Sequence, residues 1–469
     1  MPSSISNHPD RLFPADPAVR QIARSLHAAV KNLPIISPHG HVPAEMIADD
    51  VPFPDPTTLL LSPDHYVTRL LHANGVSLDR LRVGGSDTTS ALEAWKIFCA
   101  HFADFDGTAS GYWLRQELVE VFGLDDLDLR AQTAEQTFHA VQAKINDPGF
   151  RPRALMDSFN IEVLATTDDP LDDLAAHQRL AADPSFAPRV LPTFRPDAYI
   201  KFWAPQFAQN VNRLIDEAGD GATGYQGYLA AMANRRRYFV EHGAVSSDHG
   251  SHNADTLRLD DAQASALFAK GLAGTATWAE SQAFEAHMMY QQAAMAVDDG
   301  LVMTMHAGVH RNTHPSTLAA FGADTGHDIP FAVDFSTGLQ PLLRDFGTAP
   351  GFHFIPFTID ETVFSREIAP LAGFFPSVYI GAPWWFLDAP DAMLRFRSAV
   401  TETAGFSRSS GFIDDTRAFC SIPARHDASR RTEAAFLARL VAEHRITEER
   451  AHEIIVDIVD AAPRRAFKL

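Results

Sequence analysis

Short, continuously apolar runs recur along the chain, with amphipathic stretches between them. The runs are LPIISPHGH (33–41), IEVLATT (161–167), RVLPTF (189–194), GAVSSD (243–248), LVMTMH (301–306), FHFIPFT (352–358), SVYIGAP (377–383) and SGFIDD (410–415). Unbroken apolar character over so short a span is the pattern of a strand covered on both faces. The intervening stretches, such as PLDDLAAHQRLAAD and DAMLRFRSAVTETAG, carry helical spacing, and the first opens on Asp-Asp-Pro as a capped helix start does. Strands alternating with helices predict a parallel sheet, and eight such units predict an α/β protein built on a closed (β/α)8 TIM barrel. An open doubly wound sheet is the alternative, but no Gly-rich phosphate loop follows the first run.

The interval between the first two runs is too long for one crossover. Its patterns ALEAWKIFCAHF and GYWLRQELVEVF are helical, so the spacing predicts a helical insertion over 44–150. The remaining divisions are an N-terminal helix with the first strand (1–43), the rest of the barrel (151–425) and C-terminal helices packing on it (426–469). No internal repeat or low-complexity segment interrupts this order.

Hydrophobic residues at 46% and charged residues at 21% match an ordinary globular protein. No apolar run approaches the ~20 residues a bilayer requires, and MPSSISNHPDRLFPADP has neither the basic start nor the apolar core of a signal peptide. The only cysteines, Cys99 and Cys420, exclude a disulfide framework and point to a reducing cytoplasm. A formal net charge of −20 argues against nucleic acid as a partner. The one basic cluster, Arg235 to Arg237 in NRRRYF, reads as a solvated helix face.

Chemistry in such a barrel sits at the C-terminal ends of the strands. His39 and His41 stand at i and i+2 there, so both can face the barrel mouth while Gly40 points away. Two such imidazoles can share one zinc ion, though His-x-His alone is weak in a chain with 21 histidines. Asp415 and Arg417 repeat the i, i+2 relation at the end of the eighth run, beside the first strand of a closed barrel. Asp415 can therefore supply a third ligand. The fifth run ends at His306 and continues to His310 and Arg311, and Arg195 follows the third run, where its fork could hold a carboxylate. Asp248 and His249 could support the site or cap a strand. A second metal would need a histidine ending the sixth run, whose His353 lies at the opposite end, so one divalent ion is expected.

Ordered blocks along nearly the whole chain resemble the uronate isomerases of the amidohydrolase superfamily. They include LPIISPHGHVPAEMIADD, SPDHYVTRLLHANGV, SGYWLRQELVEVFGL, IEVLATTDDPLDDLAAH, VLPTFRPD, SSDHG, MHAGVHRN, GAPWWFLDAPDAMLR and DDTRAF. The resemblance implies interconversion of D-glucuronate and D-fructuronate, or of D-galacturonate and D-tagaturonate, by a cytoplasmic homo-oligomer acting on a small sugar acid. By similarity His39, His41 and Asp415 are the metal residues, with Arg417 beside them. Tyr66 is the general acid, preceded by His65. Arg195, His306 and Arg311 contact substrate, and Trp384 or Trp385 lines the pocket. The chain departs from the family where His-Gly-His-Val replaces His-Cys-His-Leu, where HRNTHPST replaces an Arg-Asn-Asn run, and in the sixth-run region. Isomerisation would proceed through an enediol, with Asp415 as base at C2 and Tyr66 and Arg417 at the carbonyl oxygen. A mononuclear metal hydrolase acting on a lactone or amide needs the same histidines and aspartate, but has no special need for Tyr66.

Overall fold

The structure, a computed structural model, describes residues 7–124 and 128–469. Residues 1–6 of the stretch read above for a leader, and 125–127 of the insertion, lie outside the described residues. The strands are β1 (Ile35–Ser37), β2 (Ile161–Ala165), β3 (Arg189–Leu191), β4 (Thr193–Phe194), β5 (Ser246–His249), β6 (Val302–His306), β7 (Val309–His310), β8 (Ile329–Pro330) and β9 (Phe354–Phe357). Parallel pairing runs β1-β2-β3 and β4-β5-β6-β9, and a bridge between Asp168 and Phe194 joins the two sets. Single parallel bridges, Phe354 with Val378 and Ile380 with Ser409, carry the ring onward. The amide of His41 then donates to Thr416 O at 3.0 Å, which brings the eighth segment back to the first. The result is the eight-membered α/β barrel, with β6 and β9 buried at every residue as their unbroken apolar runs require.

Several expected strands are shorter, for identifiable reasons. The third run breaks at Pro192, which has no N–H to give a ladder. The segment 377–383 makes only bridges, because the Arg408 guanidinium takes the carbonyls of Pro376 and Val378 that a neighbouring strand would use. In 410–415, Gly411 at φ 79° and Asp415 at φ 43° leave the extended region altogether. β1 ends at Ser37, so His39 and His41 lie beyond the strand and not on it. β7 and β8, an antiparallel hairpin inside the loop after β6, were not expected.

Helices fill the intervals. Trp278–Asp299 opens on a capping box of Thr277 and Glu280 and closes on Gly300 at φ 81°. The expected helix in PLDDLAAHQRLAAD begins only at Ala175, because Asp169, Asp172 and Asp173 accept main-chain N–H groups in successive local turns. Arg236 corrects the reading of NRRRYF as a solvated face: it is fully buried and bonded to Asp299 and Gln292. Helices of the 44–158 region bury Trp95, Phe98 and Phe105 in a core shared with Ile35 and Ile161 of β1 and β2. That shared core holds the insertion over one end of the barrel. At the other side Ala23, Leu26 and Val30 pack with Leu437, Leu440 and Ile454 of the C-terminal helices. Among the described residues no helix is long and apolar enough to cross a membrane.

Candidate active site

Ten of the side chains singled out in the sequence line one cavity: His39, His41, His65, Tyr66, Arg195, His306, Arg311, Trp384, Asp415 and Arg417. Asp64, Asp324, Trp385 and Thr416 complete its wall. His39 Nε2 and His41 Nε2 lie 3.1 and 3.0 Å from the same oxygen, Asp415 Oδ1. These contacts lack hydrogen-bond alignment, and Asp415 Oδ1 is buried without a hydrogen bond. Two nitrogens and a carboxylate oxygen gathered around one point, with the oxygen otherwise orphaned, fit the donor set of a divalent ion. Burial would raise the Asp415 carboxyl, but the two imidazoles hold it well below the usual range, so it is ionised.

The ligand geometry has its own supports. His41 Nδ1 bonds Thr167 Oγ1 at 2.8 Å, which leaves Nε2 to face the cavity. Burial lowers the His41 pKa, which keeps the ring in the neutral form a metal needs. A Cβ at Gly40 would meet Asp414 Oδ1 at 3.4 Å and Ala165 O at 3.6 Å, ordinary contacts that a small side chain can make.

A second cluster, His39 with Asp248 and His306, shares one histidine with the first. Asp248 Oδ1 already accepts from Thr304 Oγ1 at 2.6 Å and His306 Nδ1 at 2.7 Å, while Arg195 Nη1 lies 3.2 Å from Oδ2. Asp248 Oδ1 is taken by two hydrogen bonds, and Oδ2, though without a hydrogen bond, already faces the Arg195 cation, so His39, His41 and Asp415 form the better ligand set. Asp248 instead orients His306, whose ring stacks on Phe357 at 4.4 Å and on His39 at 4.6 Å and leaves Nε2 without a partner. Arg195 also faces Asp197 at 3.4 Å, so two carboxylates already share its fork.

The opposite wall comes from the insertion. Asp64 caps the helix His65–Ala73 by accepting from Tyr66 N at 2.8 Å. His65 and Tyr66 stack with centroids 4.7 Å apart, and Trp113 meets the phenol edge-on at 5.6 Å. Burial pushes the Tyr66 hydroxyl above its ordinary range, so it is a proton donor. Burial, with Arg417 nearby, lowers His65 to about 3, leaving a neutral ring whose Nδ1 has no partner. Beneath them Arg425, fully buried, pairs with Asp388 at 3.0 Å and bonds Asp414 O at 3.3 Å. Its guanidinium also lies 3.6 Å from the Trp113 ring and 5.0 Å from Tyr66.

At the rim, Arg417 pairs with Asp324 at 3.1 Å, and Arg311 pairs with Asp328 at 3.0 Å and lies 4.8 Å over Trp385. Sequence reasoning missed Asp64, Asp324 and Arg425. Asp64 was findable as a helix cap in SPDHY, but no local spacing marks the other two. His249 and His310 stand outside the cavity wall. His249 bonds Thr304 O, and His310 packs on Phe331. His353 bonds Ala466 O, at the strand end away from the site.

The sequence profile of the glucuronate isomerase family matches residues 18–467. The chain is 60% identical over 469 residues to a uronate isomerase of Corynebacterium efficiens, covering all of both chains. The crystal structure of glucuronate isomerase from Caulobacter crescentus superposes with a TM-score of 0.96 at 46% identity, over 99% of this chain and 98% of that one. The uronate isomerase of Thermotoga maritima superposes with a TM-score of 0.92 at 27% identity, over 98% of this chain and 99% of that one.

Proposed function

Because the chain belongs to the uronate isomerase family, whose reaction interconverts D-glucuronate and D-fructuronate, we propose a division of that chemistry among the residues of its cavity. The carrying observation is that His39, His41 and Asp415 converge on one point in the same cavity as Tyr66 and Arg417. His39, His41 and Asp415 would hold one divalent ion, which we assign as zinc from the donor set and which supplies Lewis acidity toward substrate oxygens.

In the aldose-to-ketose direction, a carboxylate oxygen of Asp415 takes the proton from C2. The Tyr66 hydroxyl gives its proton to the carbonyl oxygen on C1, and Arg417 steadies the negative charge developing there. The C–H electrons become the C1–C2 double bond of an enediol. Asp415 then returns its proton to C1 while the C2 hydroxyl gives its proton to the Tyr66 oxygen, leaving a carbonyl at C2. An ionised carboxylate held this far below its usual range is a feeble base, so polarisation of the carbonyl must acidify C2. Neutral His65 and His306 offer unpartnered nitrogens to sugar hydroxyls. Arg195 is spent on Asp197 and Asp248 and orients the cavity floor. Arg311, beside Arg417 at the rim, offers a further cation to the sugar acid. Trp384 and Trp385 wall the pocket.

The insertion over 44–150 acts as the cap that delivers His65 and Tyr66, and the tail over 426–469 braces the barrel. Two buried, unpaired cysteines suit a reducing cytoplasm. Exposed Trp203 and Trp278, paired at 4.7 Å, support a homo-oligomer. The test is ketose formation from D-glucuronate and from D-galacturonate by metal-replete protein, with Asp415→Asn as control. Turnover that survives the substitution would overturn the assignment of Asp415, and the preferred epimer at C4 identifies the substrate.

A further inference from the structure

Separate stretches of chain build the reacting end of the cavity, and one side chain beneath it reaches them all. Tyr66 comes from the cap, on the helix His65–Ala73. Asp415 comes from the eighth segment of the barrel, and Trp385 from the loop after the seventh. A proton donor on the cap and a base on the barrel keep a fixed separation only if something holds the two bodies together at that level. Arg425 is placed to do so. It lies in the first turn of the helix Ile422–Ala442 and is fully buried, outside the cavity wall.

Toward the cap, its guanidinium carbon lies 3.6 Å from the centre of the Trp113 ring and 5.0 Å from that of Tyr66. Trp113 in turn meets the phenol edge-on, and His65 stacks on it, so Tyr66 is held by packing against its ring. Toward the barrel, Arg425 Nη1 donates to Asp414 O at 3.3 Å, the carbonyl just before Asp415. The same nitrogen donates at 3.0 Å to Asp388 Oδ2, and Asp388 ends the short helical turn Trp385–Leu387. Nε donates to Ser421 Oγ at 3.1 Å, which fixes the plane of the group. A guanidinium can do this because its face takes the rings while its edge takes the oxygens.

Stability accounts poorly for such a residue. A buried ion pair seldom gains over apolar side chains of similar volume, and a cation in the first turn of a helix meets the positive end of the dipole. We propose that Arg425 is a positioning residue for the isomerisation: without touching substrate, it sets the register between Tyr66 on the cap and Asp415 on the barrel. The inference rests on the reading of Tyr66 as the proton donor.

The test measures kcat and KM for ketose formation from D-glucuronate, and metal retention by chelator competition, in the metal-replete protein. The variants are Arg425→Met and Arg425→Lys, each alone and combined with Tyr66→Phe. Small misplacement of a reacting group can cost about 10²-fold, so Arg425→Met should lower kcat about 10- to 100-fold with KM and metal retention nearly unchanged. Lys keeps a charge opposite Asp388 but offers Trp113 no planar face, so Arg425→Lys should fold as the parent does and still lose about 10-fold in kcat. That variant carries the test if Arg425→Met fails to fold. In the Tyr66→Phe background either substitution should change kcat by less than about 2-fold, because the donor it displaces is gone. Full additivity in that background, full activity in Arg425→Lys, or a loss of metal retention that matches the loss of kcat would each overturn the proposal. If Tyr66→Phe alone leaves kcat unmoved, the donor reading itself fails. That result is distinct from failure of the positioning, in which Tyr66→Phe is crippled and the Arg425 losses add to it.

Discussion

Asp415 sits at φ 43°, in the left-handed region that costs an L residue roughly 1–2 kcal/mol. Aspartate tolerates this better than most residues, and the turn aims Oδ1 at His39 and His41. Asn would tolerate the same turn, so Asp415→Asn should fold normally and yet lose about 10²–10⁴-fold in kcat, read by a ketose assay beside far-UV circular dichroism. Tyr66→Phe removes only a hydroxyl, and it should lower kcat by about 10²–10⁴-fold with little change in KM. A rise in KM without loss of kcat would remove Tyr66 as proton donor. Thr167→Val leaves His41 Nδ1 unbonded and should weaken metal retention by roughly 10–100-fold in chelator competition. At this scale the site was largely legible, because polar residues that end apolar runs have few other reasons to stand there. Asp324 and Arg425 were not. Each matters through a partner far away in sequence, Arg417 for one and Tyr66 for the other, and no local pattern encodes such a meeting.

Among elements, the apolar runs located the strands but not their ends. Side chains decided those: Arg408 consuming carbonyls near Val378, Pro192 splitting β3 from β4, and aspartates drawing residues 169–175 into turns before their helix. Arg236 shows the same limit within a helix. Its neighbours Arg235 and Arg237 suggest a charged face, but helical rotation turns Arg236 inward, where Asp299 and Gln292 meet it. Asp299 ends the helix Trp278–Asp299, so this ion pair ties that helix to Gly224–Glu241. Arg236→Met keeps much of the volume but leaves Asp299 only the Leu301 N–H and buried Gln292 Oε1 no partner, and it should cost about 3 kcal/mol in urea unfolding. Catalytic constants should change little in the fraction that folds, because the pair lies outside the cavity wall. A loss below about 1 kcal/mol would mean that water reaches Asp299 and satisfies it.

Across the whole molecule, the ladders thin to single bridges beyond β9, and the barrel closes at the seam where its eighth segment meets its first. The first segment meets the eighth through the His41 N to Thr416 O bond, where other neighbouring segments from β4 to β9 share continuous ladders. The ligand set straddles that same seam, with His39 and His41 on one side and Asp415 on the other. A divalent ion there would do two things at once, serving the sugar's oxygens and cross-linking the two ends of the barrel. Binding to the folded state alone stabilises it by about 4 kcal/mol when free ion stands a thousandfold above its dissociation constant. Chelation should therefore lower the melting temperature as well as abolish turnover, and readdition of the ion should restore both together. In Asp415→Asn the ion should no longer raise the melting temperature. If chelation removed activity and left thermal unfolding unmoved in the parent protein, the ion would be bound elsewhere than the seam, and the assignment of His39, His41 and Asp415 as its ligands would fall.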